Sequence, residues 1–182
     1  MPDPNLRFFL RDRTAAVHGE LDALVGHWSD RTSYTHYLRA LLSFRDPVEQ
    51  ALERTHLPGP FADWAAVPIR DHLRTDLAEL GAAAPPTETV PPPASAAAVA
   101  GMLYVLEGSS VGARLLSRRA GELGLSADHG ARHLAAQTAD KGRWPAFLDR
   151  LETPGLDREA AAAGANRTFA FALAAFRAEI GA

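Results

Sequence analysis

The chain has 182 residues, a mass of 19.5 kDa, a net charge of −3 and a pI near 6.1. That is enough for one domain with its own core, and it lacks the basic surplus of a nucleic-acid binder. No cysteine is present, which excludes thiolate metal sites, iron–sulfur clusters, cysteine nucleophiles and disulfides. The 36 alanines, set against few β-branched residues, predict a mostly helical protein. Nowhere do 18 apolar residues run uninterrupted, and Met1–Leu10 lacks a basic start followed by an apolar run. A soluble cytoplasmic protein, not a membrane-spanning one, is therefore expected.

Asn5–Val25 reads as the first helix, with Leu6, Phe9, Leu10, Val17, Leu21 and Leu24 on one face. Ser29–Ser33 is a polar break in which Asp30 or Thr32 can cap the next helix. That helix, Tyr34–Thr55, carries Pro47, which removes one backbone donor and should bend it. Leu57-Pro58-Gly59-Pro60 is a loop. A third helix runs from Phe61 or Pro68 to Leu80 and is ended by Gly81. Ala82–Pro93 holds five prolines, and the 82–95 stretch reads as an exposed crossing within a single domain spanning 1–182. A domain boundary there is the other option. Further helices are expected at Ser95–Leu123, Arg132–Ala139, Trp144–Leu151 and Asp157–Ile180.

Two segments carry chemistry. In Leu10–Asp22, Thr14, His18 and Asp22 fall on one helical line, and Arg11 precedes His18 by two turns on nearly the same face. An imidazole binds iron through an unprotonated nitrogen, and a carboxylate one turn on can accept the proton of its other nitrogen. A solvated His–Asp pair beside a solvated arginine fits the same spacing. In Gly101–Leu116, a strongly helical run contains Gly108 and Gly112 on one face, flanked by Ser109, Ser110 and Ala113. Each interior glycine costs roughly 1 kcal/mol against alanine. Either a close helix crossing or a flat ligand lying on the helix would use the missing side chains.

Other candidates are weaker. Glu53 to His56 is a single E-x-x-H with no second copy, so a di-iron carboxylate site is not supported. His27, His36, His72, His129 and His133 show no ligand spacing, and Glu152 and Asp157 read as solvated loop residues. No P-loop, dinucleotide fingerprint or nucleophile elbow occurs.

Together the two segments resemble the heme oxygenase family, in particular its bacterial biliverdin-producing members. The early L-R-x-x-T-x-x-x-H-x-x-L-D is matched by Leu10–Asp22 and the Y-V-L-E-G-S-x-x-G run by Tyr104–Gly112, in the family's order; Ala139–Leu151 is similar as well. The resemblance implies an all-α fold holding heme b, cofactor and substrate at once, between a proximal and a kinked distal helix. It makes His18 the iron ligand, Asp22 its hydrogen-bond acceptor, and Gly108, Ser109 and Gly112 the catalytic distal face. Arg11, Thr14, Tyr104 and Ser110 would be pocket residues, with Arg143 and Arg150 as candidates for a propionate. Implied partners are heme, molecular oxygen, an external electron donor (ferredoxin, flavodoxin or a reductase) and a bacteriophytochrome as bilin acceptor.

The sequence departs from animal-type members at Ser109, where they carry an aspartate that organises water, and at Ala113, where they carry a glycine. The expected activity is oxidation of heme to biliverdin, carbon monoxide and ferrous iron. A heme carrier or sensor of the same fold is the alternative, and a helical interaction module in which the glycines only pack is a third reading. A thiaminase-like enzyme on a related fold would need a cysteine nucleophile, which this chain lacks.

Overall fold

The computed structural model describes residues 5–25, 28–56 and 59–180. The first four residues, His27 and the Leu57–Pro58 part of the expected loop lie outside them. Among the described residues the architecture is all-α, with seven α-helices: α1 Leu6–Val25, α2 Arg31–Glu53, α3 Arg70–Glu79, α4 Ala96–Glu122, α5 Arg132–Thr138, α6 Arg143–Leu151 and α7 Arg158–Ile180.

Local sequence explains several helix ends. Asp30 is the N-cap of α2 and closes a capping box, its carboxylate accepting from Ser33 N at 2.8 Å while the Ser33 hydroxyl accepts from Asp30 N. Ser95 caps α4 through Ala98 N at 3.1 Å. Past α3, Gly81 takes φ +71°, and Ala82 N donates back to Leu77 O at 2.9 Å. This left-handed stop suits glycine because it lacks a Cβ.

Other ends are set by distant carboxylates. Glu152 accepts from Leu6 N and Arg7 N at 3.0 Å each, at the start of α1. Asp157 accepts from Glu159 N and Ala160 N at the start of α7. Both lie outside the helices, as the sequence predicts, and Asp157 is exposed; they also satisfy backbone donors that helix starts leave open. Glu49 does the same for Ile69 N and Arg70 N, and Asp76 for Arg132 N and His133 N.

The third helix starts later than Phe61 or Pro68. Phe61 closes a single 3-10 turn, Gly59–Phe61, and is fully buried against Phe147 at a ring separation of 5.7 Å. Trp64 packs on Phe147 from the same segment. Burying these rings holds the chain irregular until Ile69. Pro47 does not interrupt α2, which continues to Glu53.

α7 is the common platform, packing on α1, α2 and α4. Its closest approach is to α4, at two glycines. A methyl on Gly101 would stand 2.1 Å from Ala161 O, and one on Gly164 would stand 2.9 Å from Ala98 O. The backbones cross there because neither residue has a side chain. One core cluster gathers Leu10, Phe44, Leu103, Phe147 and Phe169. A second gathers Tyr34, Leu38, Leu73, Leu134 and Phe176. Both draw on residues before and after the proline-rich crossing. The crossing is fastened to α2 by Thr87 Oγ1 on Asp46 Oδ2 at 3.0 Å. α4 is long and apolar enough to cross a membrane, but most of its apolar stretch is buried as the central core helix.

Candidate active site

α1 and α4 both lean on α7 and approach each other at Thr14 and Tyr104. The Thr14 hydroxyl bonds back to Leu10 O at 2.8 Å and also meets the Tyr104 phenol. Burial raises the pKa of that phenol, and the Thr14 contact offsets part of the rise. One turn further along each helix come His18 on α1 and Gly108 on α4. Between them opens a cavity of about 460 Å³. Its wall includes His18, Asp22, Tyr104, Gly108, Ser109 and Gly112 of the expected site residues. Leu41 and Phe44 of α2, Trp144 of α6 and Phe169 of α7 are among its apolar lining.

His18 Nδ1 lies 2.9 Å from Asp22 Oδ2. The carboxylate holds the proton on Nδ1, so Nε2 keeps its lone pair and can bind a metal. Phe169 meets the imidazole edge-on, with ring centroids 5.5 Å apart and planes at 71°. The ring is thereby held from two sides although its side chain is 56% exposed.

The two readings of Gly108 and Gly112 separate here. A methyl at Gly112 would meet nothing within 4 Å, and one at Gly108 would make ordinary contact with Trp144 at 3.6 Å. Neither glycine is at a helix crossing; that role belongs to Gly101 and Gly164. At Gly112 the missing side chain leaves open space in the cavity wall, as a flat ligand against the backbone requires.

Ser109 Oγ lies 2.6 Å from Leu106 O and 2.9 Å from Gln137 Oε1, and Arg45 Nη1 donates to it at 3.4 Å. Arg45 is buried and held by Glu49 at 2.9 Å and by Val67 O. Ser110 instead bonds Glu107 O at 2.7 Å, outside the cavity wall.

The remaining candidates also stand outside the wall. Arg11 is exposed, paired with Asp12 at 3.1 Å and stacked over Phe8. Arg143 makes a two-pronged pair with the buried Glu107, 2.7 Å on each prong, and covers Trp64. Trp64 Nε1 donates to the same carboxylate at 2.9 Å. Arg150 pairs with Asp63, donates to Pro60 O at 3.0 Å and covers the same indole. The two arginines thus clamp α6 onto the 60–65 segment.

Sequence spacing did not single out Tyr37, Gln137 or Trp144 as wall residues. They come from three helices, α2, α5 and α6, and only Trp144, in the segment resembling the family, carries a signal. His133, set aside for want of ligand spacing, is fully buried. Its Nδ1 lies 2.8 Å from the equally buried Asp76.

No family model matches the chain. Two curated relatives do. Heme oxygenase PigA of Pseudomonas aeruginosa is 31% identical over 165 residues, covering 86% of this chain and 83% of that protein. A heme oxygenase of Xanthomonas campestris is 39% identical over 104 residues, covering 54% of this chain and 61% of that protein. Among solved structures, the NO- and CO-bound heme oxygenase of Neisseria meningitidis superposes with a TM-score of 0.81 at 27% identity, over 98% of this chain and 94% of that one. An unrelated helical packing module is not consistent with matches of this identity and extent, and the chain belongs to the heme oxygenase family.

Proposed function

We propose that the protein binds heme in the α1–α4 cavity and converts it, with molecular oxygen and electrons from an external donor, to biliverdin, carbon monoxide and ferrous iron. The observation that carries this reading is the pairing, in one cavity wall, of a His18 imidazole held by Asp22 with the open space at Gly112. When bound, heme itself supplies the oxygen-activating and electron-accepting chemistry.

The chain's residues bind, orient and exclude. His18 Nε2 is the iron ligand and Asp22 fixes its tautomer. Phe44, Trp144 and Phe169 exclude water from the porphyrin faces. Gly108 and Gly112 would let a bound heme lie close to helix backbone, since neither has a side chain to hold it off. Ser109 and Gln137 present polar atoms there without a strong acid, unlike a peroxidase-type pocket. Arg11 is the cation for a propionate, because its surface pair with Asp12 is weak and readily exchanged. Arg143 and Arg150 are already committed to Glu107 and Asp63. No flavin or nicotinamide motif is present, so electrons come from a ferredoxin, a flavodoxin or a reductase. The reaction serves either to supply a bilin acceptor such as a bacteriophytochrome or to release iron.

Purified protein mixed with hemin should give a Soret band, and a single aerobic turnover with ascorbate should give the biliverdin spectrum. A Soret band without biliverdin would make the protein a heme carrier. The His18→Ala variant should lose the native ferric spectrum and regain it with imidazole.

A further inference from the structure

Two aromatic paths lead away from the cavity wall, and they differ in chemistry. On one side Tyr104 and Trp144, both wall residues, stand with ring centroids 5.8 Å apart. Trp144 stacks on Phe147 at 5.7 Å, and Phe147 meets Trp64 at 5.7 Å. A benzene ring gives up an electron far less readily than a phenol or an indole, so Phe147 interrupts this path. The guanidiniums of Arg143 and Arg150 also cover Trp64, 4.7 and 5.0 Å from its ring, and two cations oppose a positive charge there. On the other side Tyr37 of the wall meets Trp28 directly, with ring centroids 5.8 Å apart. Tyr34 touches both, 5.7 Å from Tyr37 and 4.8 Å from Trp28, and no phenylalanine intervenes. Trp28 is buried, yet it lines a second hollow of about 230 Å³ together with the exposed His36 and Ile180. This path therefore runs from the cavity to the surface.

Oxidising a phenol releases its proton, so a tyrosine gives up an electron readily only with a base at hand. Tyr37 has one: its hydroxyl lies 3.4 Å from His133 Nε2. His133 Nδ1 lies 2.8 Å from Asp76 Oδ2, and both residues are fully buried. Burial opposes the Asp76 charge, but bonds from His133 and from Arg132 N outweigh it and keep the carboxyl ionised. Burial likewise favours the neutral imidazole. Asp76 therefore holds the ring proton on Nδ1, and the Nε2 lone pair is turned toward the Tyr37 hydroxyl. Tyr34 donates instead to Gly130 O at 2.8 Å, and Tyr104 meets the Thr14 hydroxyl; neither partner is a base.

We infer that Tyr37 and Trp28 form an electron path that repairs a porphyrin oxidised by stray peroxide, with the His133–Asp76 pair storing the phenol's proton meanwhile. The inference rests on the heme reading of the cavity. One electron leaves the Tyr37 ring and fills the vacancy on the porphyrin, and the phenol's proton crosses to Nε2. A neutral tyrosyl radical then stands beside an imidazolium. Asp76 supports that charge while Arg45 and His72 oppose it, so the proton is held only until an electron arrives. An external one-electron reductant, such as ascorbate or a thiol, supplies that electron at Trp28. It passes to Tyr37 as the proton returns from Nε2 to the phenol. Tyr37, His133 and Trp28 end as they began, the porphyrin gains one electron and the reductant loses one. No proton enters or leaves the buried pair. Only the Tyr37 ring has to adjoin the cavity, because an electron, unlike a proton, needs no hydrogen-bonded route.

The test is freeze-quenched electron paramagnetic resonance of the hemin-loaded protein mixed with m-chloroperbenzoic acid. This peracid oxidises heme without supplying the hydroperoxide of turnover. Wild type should give a tyrosyl radical signal, formed more slowly in heavy water because a proton moves with the electron. Tyr37→Phe, which keeps the ring in its aromatic cluster, should lose that signal with the Soret band unchanged. Tyr104→Phe should keep it. Trp28→Phe should keep the signal but lose its rapid quenching by ascorbate, and mass spectrometry should then find more oxidised Tyr37. A signal that survives Tyr37→Phe, or disappears in Tyr104→Phe, overturns the path, as does full ascorbate quenching in Trp28→Phe. A Soret band with no tyrosyl signal in wild type overturns it while leaving the heme reading intact. Absence of a Soret band overturns the heme reading, and the path with it.

Discussion

The His18 imidazole and the Asp22 carboxylate meet at 2.9 Å across one turn of α1, Nδ1 to Oδ2. Both side chains are more than half exposed, so the pair contributes little to folding. Its value lies in orientation. Asp22→Asn should leave the melting temperature unchanged and weaken heme binding about tenfold, the usual range for losing such a partner. A Soret titration reads the affinity, and the iron–histidine stretch in resonance Raman should move to lower frequency. An unchanged stretch would show that Asp22 does not hold the ring in the complex.

Two pairs of glycines on α4 and α7 should respond in opposite ways. At Gly112 there is open space, so Gly112→Leu should remain folded by circular dichroism while losing biliverdin formation. At Gly101 a methyl would collide with backbone at 2.1 Å. Gly101→Ala should therefore cost roughly 3 kcal/mol or more and lower the melting temperature by many degrees. Both variants should be measured for melting temperature and product yield. Normal yield from Gly112→Leu would remove that glycine from the heme face.

Arginines separate in the same manner. Arg143→Ala strands the buried Glu107 carboxylate, leaving Trp64 as its remaining partner, and should cost about 3 kcal/mol of stability. Arg11→Ala removes a surface cation and should leave stability unchanged, while weakening heme binding about fivefold through one lost charge-assisted bond. Urea unfolding and Soret titration on both variants check this. If Arg143→Ala lost heme affinity in the fully folded protein and Arg11→Ala did not, the propionate assignment would be reversed.

Acid should destabilise the fold in two stages. His133 is buried with its pKa depressed, so below its ordinary value of 6.5 the unfolded chain takes up a proton that the folded chain does not. Stability consequently falls as pH drops from 7 toward 5. Asp76 has a depressed carboxyl pKa, and its contribution is lost on further acidification below its ordinary 3.8. The urea midpoint should decline over the first interval in wild type and flatten in His133→Gln. An equal decline in both would place the acid sensitivity elsewhere.

The sequence by itself determined the helices and the α1 half of the site. Periodic apolar positions, Asp30, Ser95 and Gly81 act within a few residues, so element order and most ends were legible without tertiary information. His18 and Asp22 are one turn apart, and helix geometry alone brings them together. Tertiary structure decided what depends on distant partners. Gly101 and Gly112 sit in similar helical sequence, yet only the packing of α7 makes one a crossing and leaves the other facing a cavity. Arg143 and Arg150 are candidate ligand contacts by sequence, but the fold gives them Glu107 of α4 and Asp63 of the 60–65 segment as partners. Glu49, Asp76 and Glu152 cap helices far along the chain, and His133 gains its partner from a helix 57 residues away. Burial and pairing of polar groups at that range follow from how helices pack, a property no local spacing encodes.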